Sequence, residues 1–323
     1  MDDLLFLQVT IELVRIIVPI IIVFGTLGSI VNILILTRQR LRGYACSIYF
    51  AALSTNNLFY TTVLLVYNYL LGGYAIDLAL YSNFFCKLIS YLLNFSPVVS
   101  AYFIVLASID RYCASSLDAR RRRFSQVGVA KISVAAVTIF YALFNIGAII
   151  SFDLRDDGAG CTIRSDSLFN QVFLIGLVTF YSVIAPCLLV IFGVLTVYNT
   201  SRLGQARIGV SRQRRTEKEL ARMLIVQVLT HIVFTGPFCA MLVILVLPVD
   251  FRSTLQFYVL FVFTKIPFYF SYITPFFLYI LSARIYREEM MQLFKKLNPM
   301  RRHNLVHHIN LTVQVQSTAP LKE

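Results

Sequence analysis

Charge is scarce in this chain: Asp, Glu, Lys and Arg make up 14% of its 323 residues while 58% are hydrophobic, a balance that excludes an ordinary soluble domain. Uncharged apolar runs fall at 16–36, 47–71, 88–109, 132–152, 167–198 and 223–249, and a seventh at 253–283 holds one charge, Lys265. Each is long enough to cross roughly 30 Å of hydrocarbon as a helix. The ten-residue apolar–polar alternation of an outer-membrane barrel is missing, so helices must pair the backbone groups inside lipid. Paired carboxylates and Ser/His dyads are missing from the spans, which argues against an intramembrane protease and for a protein that is not an enzyme. Internal repeats are missing too, which argues against a transporter, and no linker marks a second folded domain. No cofactor or metal set is apparent, and His231, alone in the sixth span, reads as a hydrogen-bonded core residue. The expected class is an all-α membrane protein, a bundle of seven transmembrane helices with a short amphipathic helix at the inner membrane surface.

The net charge of +13 would suit a nucleic-acid binder, but its distribution answers differently. Most Lys and Arg gather in alternate gaps and the C-terminal segment: Arg38, Arg40 and Arg42, then Arg120 to Arg123, then Arg202 to Arg222, then from Arg284 onward. Arg15, Lys87, Arg155, Arg164 and Arg252 fall on the other side. By the positive-inside rule the first set is cytoplasmic, so the N-terminus is outside and the C-terminus inside, as in a multi-pass plasma-membrane protein. No nucleic-acid partner is expected, whereas anionic inner-leaflet lipid is.

The domains expected are a short extracellular tail at 1–12, a seven-helix domain at 13–283, an amphipathic cytoplasmic helix at 284–297 and a flexible tail at 298–323. The amphipathic assignment rests on Tyr286, Met290, Leu293, Phe294 and Leu297 at helical spacing, with Arg287, Glu288, Lys295 and Lys296 on other faces. No cysteine follows it, so no palmitoyl anchor is expected there. Among six cysteines, Cys86 and Cys161 stand apart, one at the outer start of the third span and the other in the loop between spans four and five. A disulfide between them would pin that loop over the bundle and contribute about 2 to 5 kcal/mol.

Asp110 and Arg111 interrupt an apolar helix at its inner end, where charges need partners or water. The pair neutralises itself, and Glu217 at the inner end of span six is a second candidate partner for Arg111. A salt bridge joining the two spans would be a bistable element, open or closed.

Asp110-Arg111-Tyr112, with Cys86 placed 25 residues before the Arg, resembles the third helix of rhodopsin-like G-protein-coupled receptors. The resemblance extends over roughly residues 13–297. Gly25-Thr26-Leu27-Gly28-Ser29-Ile30-Val31-Asn32 resembles the first-helix motif, Pro186 the fifth-helix proline, Phe234-Thr235-Gly236-Pro237 the sixth-helix motif and Thr274-Pro275 the seventh-helix motif. It implies a receptor that passes an extracellular ligand's signal to a heterotrimeric G protein, with Asp110, Arg111, Tyr112 and Glu217 at the switch. Several positions depart from the family pattern. The acidic residue of the family's sodium site is Asn57 here, with Ser100 present and Thr274 in place of the usual Asn, so sodium is not expected. The chain has no tryptophan, the aromatic toggle position is Thr235, and Leu278 stands where the seventh-helix tyrosine belongs, with Tyr279 following.

The same resemblance bears on the ligand. Leu93 occupies the position of the amine receptors' Asp, which argues against a monoamine. Phe268 occupies the position of the opsins' retinal lysine, with Lys265 one turn away, so a light receptor is a remote alternative. Acidic residues outnumber basic ones on the outer side, Asp156 and Asp157 among them, and a negative mouth concentrates cations. The expected ligand is therefore a cationic peptide, in the manner of the amidated-neuropeptide receptors, with Leu93, Asp156, Asp157, Lys265, Tyr269 and Tyr272 as tentative contacts and Phe257, Tyr258 and Phe261 adding aromatic surface. The alternative from another class is a seven-span chemosensory receptor or channel.

Overall fold

A computed structural model describes residues 2–116, 118–155, 160–163, 167–205, 212–247 and 254–297. Six of its helices are long and apolar enough to cross a membrane: Leu7–Leu36, Asn83–Ala114, Val127–Ser151, Leu168–Asn199, Lys218–Val246 and Leu255–Ser282. The remaining span, the second in order, is Ala45–Phe59, a π-helical turn Tyr60–Leu64 and Leu65–Tyr74. It is the least apolar because it carries Ser54, Thr55, Asn56, Asn57, Thr61 and Thr62 at its centre. Those groups face neighbouring helices or bond within their own: Asn57 and Thr61 are buried, and Thr62 Oγ1 donates to the Leu58 carbonyl at 2.7 Å. The seven-helix bundle is as expected. The segment 1–12, read as a tail, is helical from Asp2 onward and continuous with the first span; no glycine or proline interrupts it, and Arg15 pairs with Glu12 one turn back at 2.6 Å.

Small residues bring three spans together. A Cβ added at Gly25 would lie 2.8 Å from side-chain atoms of Thr61 and Ile273, and one at Gly28 would lie 2.8 Å from Phe276. Absence of a side chain at these two positions is what lets the first span close on the second and seventh.

Proline and hydroxyl residues shape the helices where they bend. Pro186 lacks the N–H that the Ser182 carbonyl would accept, and the turn Thr179–Ile184 ahead of it widens to a π-helix. Thr61 and Thr62 accompany the π-turn of the second span, their hydroxyls bonding the Asn57 and Leu58 carbonyls. The seventh span breaks between Leu255–Phe270 and Thr274–Ser282, where Pro275 leaves the Ser271 carbonyl without its helical donor. Thr274 Oγ1 donates to that carbonyl at 3.0 Å, so the residue standing where the family has Asn repairs the break.

One end of the bundle carries the disulfide and the other the arginines. At the disulfide end, Phe152–Arg155 and Gly160–Ile163 form an antiparallel hairpin in which Cys161 stands opposite Leu154. Cys86 joins Cys161 with Cα atoms 5.5 Å apart, and Lys87 lies 3.9 Å from Asp153 beside it. Cys86→Ser is expected to release the hairpin and lower stability by about 2 to 5 kcal/mol; thermal unfolding in detergent checks this, and a midpoint unchanged within error would show that the hairpin holds itself.

At the basic end, Ala283 leaves the helical conformation and the chain turns into the helix Arg284–Leu297. Ile285 and Tyr286 are buried in the core, and Met290 and Leu293 pack against it. Arg287 donates to the Ile280 and Leu281 carbonyls at 2.9 and 3.1 Å, placing a cation at the C-terminal end of the seventh span.

Candidate functional site

The third span is the most enclosed of the spans, and its last turns hold a charged pair in the protein interior. Asp110 and Arg111 are each 4% exposed. Arg111 Nε and Nη2 donate to the same Asp110 oxygen at 2.9 and 2.6 Å, and Ser125 Oγ donates to the other at 2.7 Å. The carboxylate thus has a charged partner on one oxygen and a hydroxyl on the other, as a buried charge requires. Ser125 follows the short helix Ala119–Arg122, so the adjoining loop is tied into the pair. Tyr112 points elsewhere: its hydroxyl accepts from Arg121 at 2.7 Å and its ring lies 5.8 Å from Phe192 of the fifth span. The side chain of Glu217, read from the sequence as a partner of Arg111, lies outside the described residues.

The sixth span does make a contact across this end, through Glu219, which the sequence offers only as a carboxylate suited to that helix's own dipole. Glu219 Oε2 accepts from the backbone N–H of Ile285 at 2.7 Å, in the first turn of the amphipathic helix. That N–H has no acceptor within its own helix, so a carboxylate from another helix caps it. The far side of the amphipathic helix is clasped by the first loop. Glu289, buried, lies 3.1 Å from Arg38 and 3.5 Å from Arg40, and Arg40 reaches Glu288 at 3.0 Å. The Arg40 hydrogen bond, with Arg284 adding to it, holds the Glu288 carboxyl below the usual range. Arginines counted as a topology signal therefore also hold a helix in place. Asn32 accepts a hydrogen bond from the Tyr286 hydroxyl, linking the first span to the same helix. Tyr279 is fully buried, its ring 5.0 Å from Phe50 and 5.8 Å from Tyr286.

Mid-bundle, Leu53, Asn57, Pro97, Ser100, Ile104, Tyr181, Gln227, His231, Phe268, Ser271 and Tyr272 line a small cavity of about 10 Å³, room for roughly one water. Ser100 Oγ donates to Asn57 Oδ1 at 3.2 Å, and Asn57 Nδ2 donates to the Tyr272 carbonyl at 3.4 Å. Asn56, unremarked in the sequence, bonds the Ser100 hydroxyl at 2.6 Å and the Ser96 carbonyl at 2.9 Å. No carboxylate lines the cavity, and Thr274 is turned to the Ser271 carbonyl. Neutral amides and hydroxyls do not fit the family's sodium site, which needs a negative charge to offset the ion's desolvation. His231 also departs from its reading. It is buried but its ring has no hydrogen-bond partner among the described residues, and it faces the cavity instead.

Toward the disulfide end, the tentative ligand contacts divide. Tyr272 is buried and stacked on Tyr60 with centroids 3.8 Å apart, and Tyr269 is buried as well, so neither offers open surface. Leu93 packs against the core. Phe257 is buried, whereas Tyr258 is 56% exposed. Lys265 lies 5.0 Å from the centroid of the Phe261 ring. Asp156 and Asp157 lie outside the described residues.

The family model described as 7 transmembrane receptor (rhodopsin family) matches residues 28–290. The chain is 27% identical over 164 residues to somatostatin receptor type 5 of Rattus norvegicus, covering 49% of this chain and 44% of that protein. The Bos taurus receptor of the same name is 27% identical over 154 residues, covering 47% and 40%. That of Mus musculus is 24% identical over 164 residues, covering 49% and 44%. The matches thus span less than half the length of these relatives.

Proposed function

The chain belongs to the rhodopsin family of seven-transmembrane receptors, and from that premise we propose that it carries the signal of an extracellular peptide to a heterotrimeric G protein at the plasma membrane. The observation that carries this reading is the buried Asp110–Arg111 pair at the basic end, 2.6 Å at its shortest. A buried pair persists only while both partners stay together, and a charged side chain freed from its partner must find water or a new acceptor. In our reading the basic end is cytoplasmic, Arg111 is the group exposed when the inner end of the sixth span moves away, and a G-protein segment then packs against it. Glu217 and Glu219 sit on the part of the sixth span that has to move. Tyr279, Asn32 and Tyr286 form the hub on which the seventh span and amphipathic helix are seated.

A peptide ligand is supported by the relatives' name and by the acidic balance of the outer loops, Asp156, Asp157 and Asp250 included. The receptor reading takes the chain as a transducer and not as a catalyst.

Guanine-nucleotide exchange on a purified G protein, driven by the receptor in liposomes, tests the proposal. Somatostatin and a panel of short Lys- and Arg-containing peptides serve as probes. The expected result is exchange above the basal rate for at least one peptide, with no ligand-gated current in patch recording. A current that needs no G protein would instead make the chain a chemosensory channel.

A further inference from the structure

Among the described residues Lys265 is a cation with no acid beside it. It lies ten residues into the helix Leu255–Phe270, roughly 15 Å along the axis from its start. An ammonium at that depth is costly unless something offsets its charge. The carboxylates of the described spans are engaged elsewhere: Glu12 with Arg15, Asp110 with Arg111 and Glu219 with the Ile285 N–H. No carboxylate lies within ion-pair distance of Lys265 among the described residues; its recorded neighbour is the face of Phe261.

The direction of the side chain follows from helical spacing. Tyr258, Phe261, Lys265 and Phe268 recur every three or four residues and so share one face, while Leu260 and Phe263, 42% and 40% exposed, lie on the lipid side. At the deep end of this stripe, Phe268 packs on Phe238 at 4.7 Å and lines the mid-bundle cavity. At its outer end, Tyr258 is open. Lys265 therefore stands on the same face as Phe268, which lines the cavity, and Tyr258, which is exposed toward the helix start.

We infer that Lys265 is the counter-ion for a carboxylate on the ligand, carried into the bundle ahead of a basic peptide body. This rests on the peptide-receptor reading and narrows it. The acidic excess of the outer-loop sequence attracts the cationic body and Lys265 selects the anionic end, so the two charges together fix which way the peptide enters. A fully amidated peptide without acidic side chains has nothing to offer Lys265. The inference thus replaces the amidated ligand that the sequence suggested with one bearing at least one free carboxylate, at its C-terminus or on Asp or Glu.

The test uses the same basic peptides, each made as the free acid, as the C-terminal amide, and with acidic side chains changed to amides. They are assayed by nucleotide exchange on the wild type, Lys265→Met and Lys265→Arg. We expect neutralising one particular carboxylate to weaken potency at least about tenfold on the wild type and to have no effect on Lys265→Met, with Lys265→Arg close to wild type. Identity of that carboxylate separates a C-terminal from a side-chain source. If every neutralised form keeps full potency on the wild type, or if Lys265→Met weakens all forms alike, the inference is overturned while the receptor reading stands. If no peptide drives exchange, the peptide reading fails and the inference falls with it. Thermal unfolding without ligand supplies a second readout: an unpaired cation kept for binding predicts that Lys265→Met is at least as stable as wild type, and a lower midpoint would assign Lys265 a structural role instead.

Discussion

Asp110→Asn is expected to raise ligand-free nucleotide exchange about tenfold, the change that a bias of ~1.4 kcal/mol produces in a two-state equilibrium. The substitution keeps the shape and removes the charge. In the wild type, both Arg111 nitrogens donate to one carboxylate oxygen and Ser125 to the other. With an amide in its place, a guanidinium only 4% exposed faces a neutral acceptor. Breaking a buried pair by losing one partner costs about 3 to 5 kcal/mol. In the proposed switch the closed form bears that cost, and the open form, where Arg111 would meet water or the G protein, does not. Part of it will appear as lower thermal stability, so exchange must be measured at equal receptor concentration. A basal rate equal to wild type in correctly folded Asp110→Asn would mean that the pair does not distinguish the two forms.

Glu219→Ala should act in the same direction. Its carboxylate caps the amphipathic helix from the sixth span, 2.7 Å from the Ile285 N–H. Loss of a helix cap costs about 0.5 to 2 kcal/mol, which corresponds to a rise in basal exchange of roughly two- to thirtyfold if the whole cost falls on the closed form. Hydrogen exchange supplies a local check, because the amide at Ile285 loses its acceptor and should exchange faster. Glu219→Gln keeps an acceptor oxygen without the charge and should fall between the two. The contact spans the sixth span and the amphipathic helix, which stays anchored by Arg38, Arg40 and Asn32. Movement of the sixth span must therefore break it. Unchanged amide protection together with an unchanged basal rate would mean that the cap survives opening.

These two groups also mark how far the sequence could be read. Asp110 and Arg111 were legible because two charges in an apolar helix have few structural alternatives, and Cys86 and Cys161 because they were the two cysteines placed in outer segments. Span positions and the amphipathic helix followed from hydropathy and period. Glu219 was not legible. A carboxylate near a helix start reads as a match to that helix's own dipole, and its partner is a backbone N–H 66 residues away that carries no side-chain signal. Arg38 and Arg40 were absorbed into a topology count for the same reason, since a charge census does not see that Glu288 and Glu289 come back to meet them. Thr274 looked like a defect in a motif, and only the geometry of the Pro275 break gives it work to do. The ligand contacts were the least legible part. Aromatic residues of one span are exposed or packed according to depth, and Tyr258, exposed, and Tyr272, stacked on Tyr60, do one each.

The central claim is that release of Arg111 from Asp110 is what opens the basic end to the G protein. Basal nucleotide exchange by the wild type, Asp110→Asn, Arg111→Ala and the double variant, at equal receptor in liposomes, tests it most directly. Because the gain in Asp110→Asn is attributed to Arg111 alone, the double variant should be as inactive as Arg111→Ala, a fully non-additive cycle. A double variant that keeps the raised exchange of Asp110→Asn would contradict the account.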